Sequence, residues 1–275
     1  MSYKTILVHI DSDRRCTIRI EVAIRMARQF GAHLVALYAQ PPFVLPGYLV
    51  QIGPEIIESQ KKAAAEDMAR AEADFNQKAL ALDFNDVEWQ TSVDYPVEAI
   101  LKQAGYSDLV VVGQNDPAVN AIIAENLPAR LVPATGRPIL ILPYAGNITT
   151  SGKRILVAWN ASREAARAIS DALPLLKLAE KVNLIRIHPK HGEHPAVPAD
   201  QLTRYLARQA VKVEVMTEHV ADIDVGNELL SRAADLGSDL IVMGGYGHSR
   251  LREWVMGGAT RTILESMTVP VLMSH

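Results

Sequence analysis

The stretch YKTILVHIDSDRRCTIRIEVAIRMARQFGAHLVALYA, residues Tyr3–Ala39, reads as one strand, one helix and a second strand. Its two ends are short, continuous apolar runs, which are typical of parallel strands that are covered on both faces. The segment between them has a helical pattern, and two parallel strands need such a crossover helix. The stretch therefore predicts an α/β fold that is built on a parallel sheet.

The same unit occurs a second time in the chain, as GKRILVAWNASREAARAISDALPLLKLAEKVNLIRIH (Gly152–His188). Three later segments also recur in the same order: VEWQTSV with VEVMTEH, SDLVVVG with SDLIVMG, and RPILILP with VPVLMSH. Because the order is preserved throughout, the pattern indicates a tandem duplication. We expect two domains, residues 1–146 and 152–275, with the polar segment AGNITTSG (Ala145–Gly152) as the linker.

Each repeat alternates apolar runs with helical patterns and ends on a strand. Each domain is therefore predicted to be an open, mainly parallel, five-stranded, Rossmann-like α/β layer structure. The pattern predicts one long helix over Pro54–Leu82 and a helix in the second repeat that ends at Gly237. The two fifth strands, RPILILP and VPVLMSH, are apolar and would otherwise leave exposed edges. We expect them at the contact of a pseudo-twofold pair of repeats within the chain, with a homodimer as a further option.

The bulk properties exclude several classes of protein. The chain has 275 residues, of which 49% are hydrophobic, so two ordinary cores can form. Its formal net charge of −3 gives no excess of positive charge that would attract nucleic acid or an anionic membrane. No apolar run approaches the roughly 18–20 residues of a membrane span, and the N-terminus lacks a signal-peptide layout. The single Cys16 excludes an internal disulfide framework, and we expect a cytoplasmic protein.

Five glycines lie in MGGYGHSRLREWVMGGAT, Met243–Thr260, directly after the predicted fourth strand of the second repeat. Ligands of open parallel sheets bind beyond the carboxyl ends of the strands. Glycines at this place allow backbone N–H groups to surround an anion, and the N-terminus of the following helix adds a favourable dipole. The alternative interpretation is structural: Gly244 and Gly247 supply turn geometry only, while Gly257 and Gly258 only allow tight packing.

Both repeats resemble domains of the universal stress protein family, and the resemblance covers nearly the whole chain. The nucleotide-binding signature of that family is G-x2-G-x9-G-[ST]. Gly244, Gly247 and Gly257 match this spacing, while Gly258 stands where the family has Ser or Thr. The resemblance implies an adenine-nucleotide α-hydrolase-like fold. It also implies ATP as the ligand, with ADP or AMP as alternatives and Mg²⁺ as a candidate companion ion.

The resemblance also implies roles for individual residues of the second repeat. The residues that would line the phosphates are Gly244, Gly247, His248, Gly257, Gly258, Ala259 and Thr260, which follow Met243. Ala158, Trp159 and Asn160 would border the adenosine, with Asn160 in place of the usual Asp. In the first repeat, Asp11 matches the acidic position, but Asp116 stands where Gly247 stands in the second. Because a carboxylate repels phosphate, we expect a nucleotide site only in the second repeat.

Two classes of function remain open on the sequence. One is a stress-response or regulatory protein that binds an adenine nucleotide in its second repeat. The other is a nucleotide-independent scaffold for dimerisation or interaction. Neither requires catalysis, and no spacing supports a nucleophile–base pair, so slow ATP hydrolysis would lack an identifiable catalytic residue. His188, His191 and His194 could bind a metal, or could simply belong to a polar loop.

Overall fold

The computed structural model describes residues 2–40, 54–116, 126–146, 148, 150–189, 199–220, 224–247 and 258–275. For residues 54, 187–189, 199 and 217–220 only the backbone is described. The chain divides into two compact units, residues 3–108 and residues 109–275, the latter joined by Ser2.

The first unit, residues 3–108, contains three parallel strands in the order β3-β2-β1. Its elements are β1 (Thr5–Ile10), α1 (Cys16–Phe30), β2 (His33–Ala39), α2 (Pro54–Ala81), β3 (Val87–Ser92) and α3 (Pro96–Ala104). The inner strand β1 is almost entirely buried, as its apolar sequence predicts. Helix α1 ends at Gly31, whose φ of 59° is the left-handed conformation that glycine adopts at low cost.

The second unit contains seven strands in the order β4-β5-β10-β9-β6-β7-β8. It begins with β4 (Leu109–Gly113), α4 (Leu127–Leu131) and β5 (Ile139–Leu142). It continues with β6 (Arg154–Trp159), α5 (Arg163–Leu176), β7 (Lys181–Pro189), α6 (Ala199–Arg208), β8 (Glu214–Val220), α7 (Val225–Asp235), β9 (Leu240–Gly244), α8 (Gly258–Ser266) and β10 (Val271–Ser274). The pairs are parallel except β5 with β10.

These elements confirm the predicted fold class, because strands and helices alternate in both repeats. The long helix spans Pro54–Ala81, one residue less than predicted, and Gly237 follows α7 with a φ of 57°. The two fifth strands pair antiparallel, with Ile139 opposite Met273 and Val271 opposite Ile141. The domain bounds read from the repeat, residues 1–146 and 152–275, stay a prediction.

The direction of the connections reverses at β6 in the second unit. This strand lies between β9 and β7, so the chain leaves it towards one edge and returns on its other side. Such a switch point opens a crevice beyond the carboxyl ends of the strands. The strand ends that border this crevice are Trp159 on β6 and Gly244 on β9. None of the helices in the described part of the chain is both long and apolar enough to cross a membrane.

Candidate functional site

A cavity of about 360 Å³ lies at the carboxyl ends of β6 and β9. Its volume is within the range of about 300–1,000 Å³ that small-molecule sites have. The described residues that line it are Ala158, Trp159, Asn160, Ser162, Ala165, Ile185, Asp224, Val225, Leu229, Met243, Gly244, Gly247, Gly258, Ala259 and Thr260. Nine of the eleven residues that were predicted to bind the nucleotide therefore lie around this one cavity. His248 and Gly257 lie outside the described residues.

The cavity has an apolar side that suits an uncharged ring. Ile185, Val225, Leu229 and Met243 line this side and come from β7, α7 and β9. The indole of Trp159 also lines the cavity, and its Nε1 is buried without a hydrogen-bond partner among the described residues. Because Nε1 is not accessible to solvent, Trp159 contributes apolar surface to the cavity.

The polar side of the cavity is built from helix N-termini. Helix α8 begins at Gly258, so the N–H groups of its first turn have no partner within the helix. Helix α5 is capped by Ser162, whose hydroxyl accepts a hydrogen bond from Ala165 N at 3.1 Å. Asn160 Oδ1 accepts one from Ser162 N at 3.1 Å, which orients the Asn160 amide group. Backbone N–H groups beside an apolar wall can bind an anionic ligand that has a hydrophobic part.

Close packing, and not turn geometry, explains the glycines after β9. A Cβ atom on Gly244 would lie 2.5 Å from the backbone N of Ala165, and one on Gly245 would lie 2.9 Å from Val132 Cγ1. Neither glycine has a positive φ. The positive φ of this loop, 61°, belongs to Tyr246. By contrast, among the described residues the atom nearest to a Cβ on Gly258 would be Asp224 Oδ1 at 3.5 Å, which is an ordinary van der Waals contact.

Tyr246 anchors this loop on helix α4. Its hydroxyl donates a hydrogen bond to Ala129 O at 2.6 Å, and its backbone N donates to Thr260 Oγ1 at 3.3 Å. Burial raises the pKa of Tyr246 to about 12, so the phenol remains a hydrogen-bond donor at neutral pH. His275 packs edge-on against the ring, and its Nδ1 lies 3.1 Å from Gly245 O. The anchor fixes a backbone conformation that is unfavourable for a residue other than glycine.

Two carboxylates lie beside the polar side. Asp224 is exposed and caps α7, with Oδ2 accepting a hydrogen bond from Gly226 N at 3.1 Å. Glu164 is buried, and its Oε1 pairs with Arg163 at 3.1 Å. Burial acts to raise the pKa of Glu164, but its own backbone N–H and Arg163 outweigh burial and hold that pKa below its usual value. Glu164 is therefore ionised at neutral pH.

At the carboxyl end of β1, in the first unit, the buried His9 and Arg19 form a cluster with the half-buried Asp11. Asp11 accepts hydrogen bonds from the Arg19 guanidinium and from Asp13 N, the latter at 3.0 Å. His9 Nδ1 lies 3.4 Å from Asp11 Oδ2. Burial lowers the pKa of His9 to about 4, so its imidazole is neutral at pH 7. Burial acts to raise the pKa of Asp11, but Arg19 outweighs burial and holds it below its usual value.

The first unit also has a cavity of about 280 Å³, which lies between α1 and α2. Its charged lining residues are Asp11, Asp13, Asp67, Arg70 and Asp74. This excess of carboxylates is unfavourable for phosphate groups. The absence of a nucleotide site from the first repeat stays a prediction.

The loop after β4 also differs from the glycine loop after β9. Gln114 is buried, donates through Nε2 to Leu264 O at 2.9 Å and accepts through Oε1 from Tyr144 N at 3.0 Å. Asp116 is buried as well. In the repeat alignment these two side chains stand where Gly245 and Gly247 stand in the second repeat.

Six residues that line the cavity at β6 and β9 were not predicted from the sequence: Ser162, Ala165, Ile185, Asp224, Val225 and Leu229. A signal was available for Asp224, because a helix that follows a parallel strand begins at the carboxyl edge of the sheet. Among the described residues, no group of three or more His, Cys, Asp or Glu side chains could hold a metal ion. The proposed metal ligands His191 and His194, and the side chain of His188, lie outside the described residues.

Comparisons with known proteins agree on one family. The model of the universal stress protein family matches residues 2–142 and again residues 152–275. A universal stress protein from Archaeoglobus fulgidus DSM 4304 is similar in structure, with a TM-score of 0.76 and 15% identity over 98% of this chain and 95% of that one. A candidate universal stress protein from Pseudomonas aeruginosa UCBPP-PA14 has a TM-score of 0.62 and 18% identity over 99% of this chain and 93% of that one.

At these identities the solved structures establish the likeness of the fold alone. No curated protein matches the chain. The two matches of the family model together span almost the whole sequence, one for each repeat. The chain therefore belongs to the universal stress protein family, as a member with two tandem domains.

Proposed function

We propose that the second repeat binds an adenine nucleotide and that the protein acts as a regulator in a stress response. The observation that carries this proposal is that residues 158–160, residues 243, 244 and 247, and residues 258–260 line one cavity. The first group is more than 80 positions from the other two, and the family resemblance implied a nucleotide-binding role for all three. The cavity has an apolar side for a base and a helix N-terminus for phosphate.

Each side of the cavity would hold a different part of the ligand. The adenine would lie against Ile185 and Leu229, with Ala158, Trp159 and Asn160 bordering the adenosine. The phosphates would lie at the start of α8, where Gly258, Ala259 and Thr260 present backbone N–H groups. The proposed set of phosphate-binding residues also includes Gly244, Gly247, His248 and Gly257.

A magnesium ion would enter such a site together with the nucleotide. Among the described lining residues, Asp224 offers the carboxylate oxygens that Mg²⁺ prefers. An ion bound to Asp224 and to the phosphates would neutralise charge there. We expect binding without catalysis, because nothing in the sequence identifies a nucleophile or a general base.

The alternative is a nucleotide-independent interaction scaffold. Gly258 brings no hydroxyl, and Asn160 brings no charge to the adenosine side, and both features favour this alternative. The pairing of β5 with β10 shows that the fifth strands can form a strand-to-strand contact. The two functions differ in one observable property, which is whether the purified protein carries an adenine nucleotide. Denaturing the full-length protein and identifying the released molecules by mass spectrometry distinguishes them.

A substitution in the glycine loop tests the site itself. Gly247→Asp places a carboxylate where a Cβ would already be 3.0 Å from Glu164 Oε2. We expect affinity for AMP and for ATP, measured by titration calorimetry, to fall at least about a hundredfold, since anionic groups then repel the phosphates. Gly258→Asp is the second variant, because its Cβ has room and Asp is favourable in the first turn of a helix.

The matched control is Gly105→Asp, at an exposed position where a Cβ meets nothing within 4 Å. This control should bind both nucleotides as the wild type does. Far-ultraviolet circular dichroism and thermal unfolding show whether each variant is folded. If folded Gly247→Asp and Gly258→Asp proteins both keep wild-type affinity, the phosphates bind elsewhere and the assignment is wrong.

A further inference from the structure

Asp224 places a fixed negative charge at the start of helix α8. Of the described residues that line the cavity, it alone carries a formal charge. Its Oδ1 would lie 3.5 Å from a Cβ on Gly258, and its Oδ2 is held by the N–H of Gly226. The carboxylate therefore stays close to the point at which α8 would receive a phosphate group.

Glu164 places a second carboxylate beside the polar side of the cavity, at Gly247, whereas Asp224 lies at Gly258. Its Oε2 would lie 3.0 Å from a Cβ on Gly247, so it contacts the glycine loop directly. Arg163 pairs with the other oxygen, Oε1, and Arg163 itself is largely exposed. Both backbone segments that would hold a phosphate chain, the loop at Gly247 and the helix start at Gly258, thus have a carboxylate beside them.

A helix end attracts phosphate less strongly than an ionised carboxylate at the same distance repels it. The N-terminus of a helix acts as about half a positive elementary charge. A carboxylate carries a full negative charge, and its repulsion of phosphate grows with every further charge on the ligand. Nucleoside, monophosphate and triphosphate share the same base and ribose. Their binding should therefore differ chiefly in this repulsion.

We propose that Asp224, supported by Glu164, makes this cavity select adenine nucleotides of low charge, so that AMP binds more tightly than ATP when no divalent cation is present. The inference rests on the proposed nucleotide site in the second repeat and adds the ligand class that this site prefers. Asp224 acts here as a specificity-determining residue. A divalent cation relieves the repulsion, and ATP then gains more affinity than AMP.

The decisive variant is Asp224→Asn, which removes the charge and keeps the shape. Asn caps a helix as well as Asp does, so α7 should stay intact. We expect the affinity for ATP in the presence of EDTA to rise about tenfold and that for AMP about threefold, with adenosine unchanged. Glu164→Gln should change the affinities in the same direction. Asp235→Asn is the control, because it removes the same charge from the exposed far end of α7.

The experiment is a set of calorimetric titrations of the full-length protein with adenosine, AMP and ATP, each in EDTA and in Mg²⁺. The proposal expects AMP to bind more tightly than ATP in EDTA, Mg²⁺ to reduce that difference, and Asp224→Asn to reduce it without Mg²⁺. Tighter binding of ATP than AMP to the wild type in EDTA overturns the inference. An unchanged ATP-to-AMP ratio in Asp224→Asn also overturns it. If none of the three ligands binds the wild type, the proposed function itself fails, and this result is distinct from the other two.

Discussion

The carboxyl ends of β1 and β6 belong to matching positions of the two repeats, but their side chains differ at three places. The repeats align without gaps here: Ala158 takes the place of His9, Asn160 that of Asp11, and Ala168 that of Arg19. In the first repeat, His9 and Arg19 are buried, and Arg19 forms an ion pair with the partly exposed Asp11, which lines a cavity with other carboxylates. In the second, small and uncharged residues stand there, and both Ala158 and Asn160 line a cavity. The two strand ends thus differ in charge more than in the space beside them.

The two loops that follow the fourth strands differ in a related way. In the loop after β4, the side chains of Gln114 and Asp116 are buried. Gln114 donates a hydrogen bond to Leu264 O and accepts one from Tyr144 N. At the end of β9, Gly244 lets the backbone approach Ala165 closely. The first repeat buries two polar side chains in its loop, whereas the second has glycines at both positions, and the N–H groups of Gly245 and Tyr246 are bonded within the protein.

The largest effect is expected from breaking the ion pair of the first repeat. Arg19→Met leaves the Asp11 carboxylate, whose side chain is 30% exposed, without its buried guanidinium partner. Removal of one partner from a buried pair typically costs about 3–5 kcal/mol of unfolding free energy. Because Asp11 keeps some contact with solvent, we expect a loss at the lower end of this range at pH 7, measured by denaturant unfolding of the full-length protein. The exposed Arg25→Met variant on the same helix should lose less than about 1 kcal/mol.

The double variant Asp11→Asn/Arg19→Met sharpens this test, because it removes the carboxylate that the single variant leaves unpaired. It should recover most of the lost stability. Nucleotide affinity should be unchanged in both variants, since the proposed site belongs to the other repeat. A loss as small as that of Arg25→Met would show that the cluster is not what stabilises this strand end.

A smaller effect, with a defined pH window, is expected from His9. Its pKa is about 4 in the folded protein and near 6.5 in the unfolded chain. Below pH 6.5 the imidazole is therefore protonated in the unfolded chain, but it stays neutral in the folded protein until the pH approaches 4. The stabilisation is present above pH 6.5 and is lost as the pH falls towards 4, by up to about 3 kcal/mol. Asp11, whose pKa is lowered, would lose its own contribution only at still lower pH.

The matched variant His9→Leu removes the titrating group and keeps an apolar side chain of moderate size. Its unfolding free energy should decline less than that of the wild type between pH 6.5 and pH 4. The second repeat has Ala158 at this position and contributes no such titration. Parallel slopes for His9→Leu and wild type would assign the acid sensitivity to other groups.

The sequence predicted the fold well because periodicity reports burial directly. The alternation of strands and helices and the bounds of α2 both follow from apolar spacing. The antiparallel contact of the fifth strands followed from their apolar, otherwise exposed edges.

Features that depend on contacts between distant segments were not predictable from spacing. The Asp11–Arg19 pair forms because the turn after β1 brings a side chain of α1 back over the strand end. Gly244 is required by the approach of α5, and the positive φ falls on Tyr246 because Ala129 accepts its hydroxyl. Asp224 reaches the cavity because α7 and α8 begin side by side, which the sequence order of the helices does not reveal.

The number of adenine nucleotides bound per chain tests the contrast between the repeats most directly. Titration calorimetry of the full-length protein with AMP, supported by native mass spectrometry, measures it. We predict one AMP per chain and no binding after Gly258→Asp, because carboxylates dominate the charge around the cavity of the first repeat. Two equivalent sites per chain, or one site that survives Gly258→Asp, would contradict it.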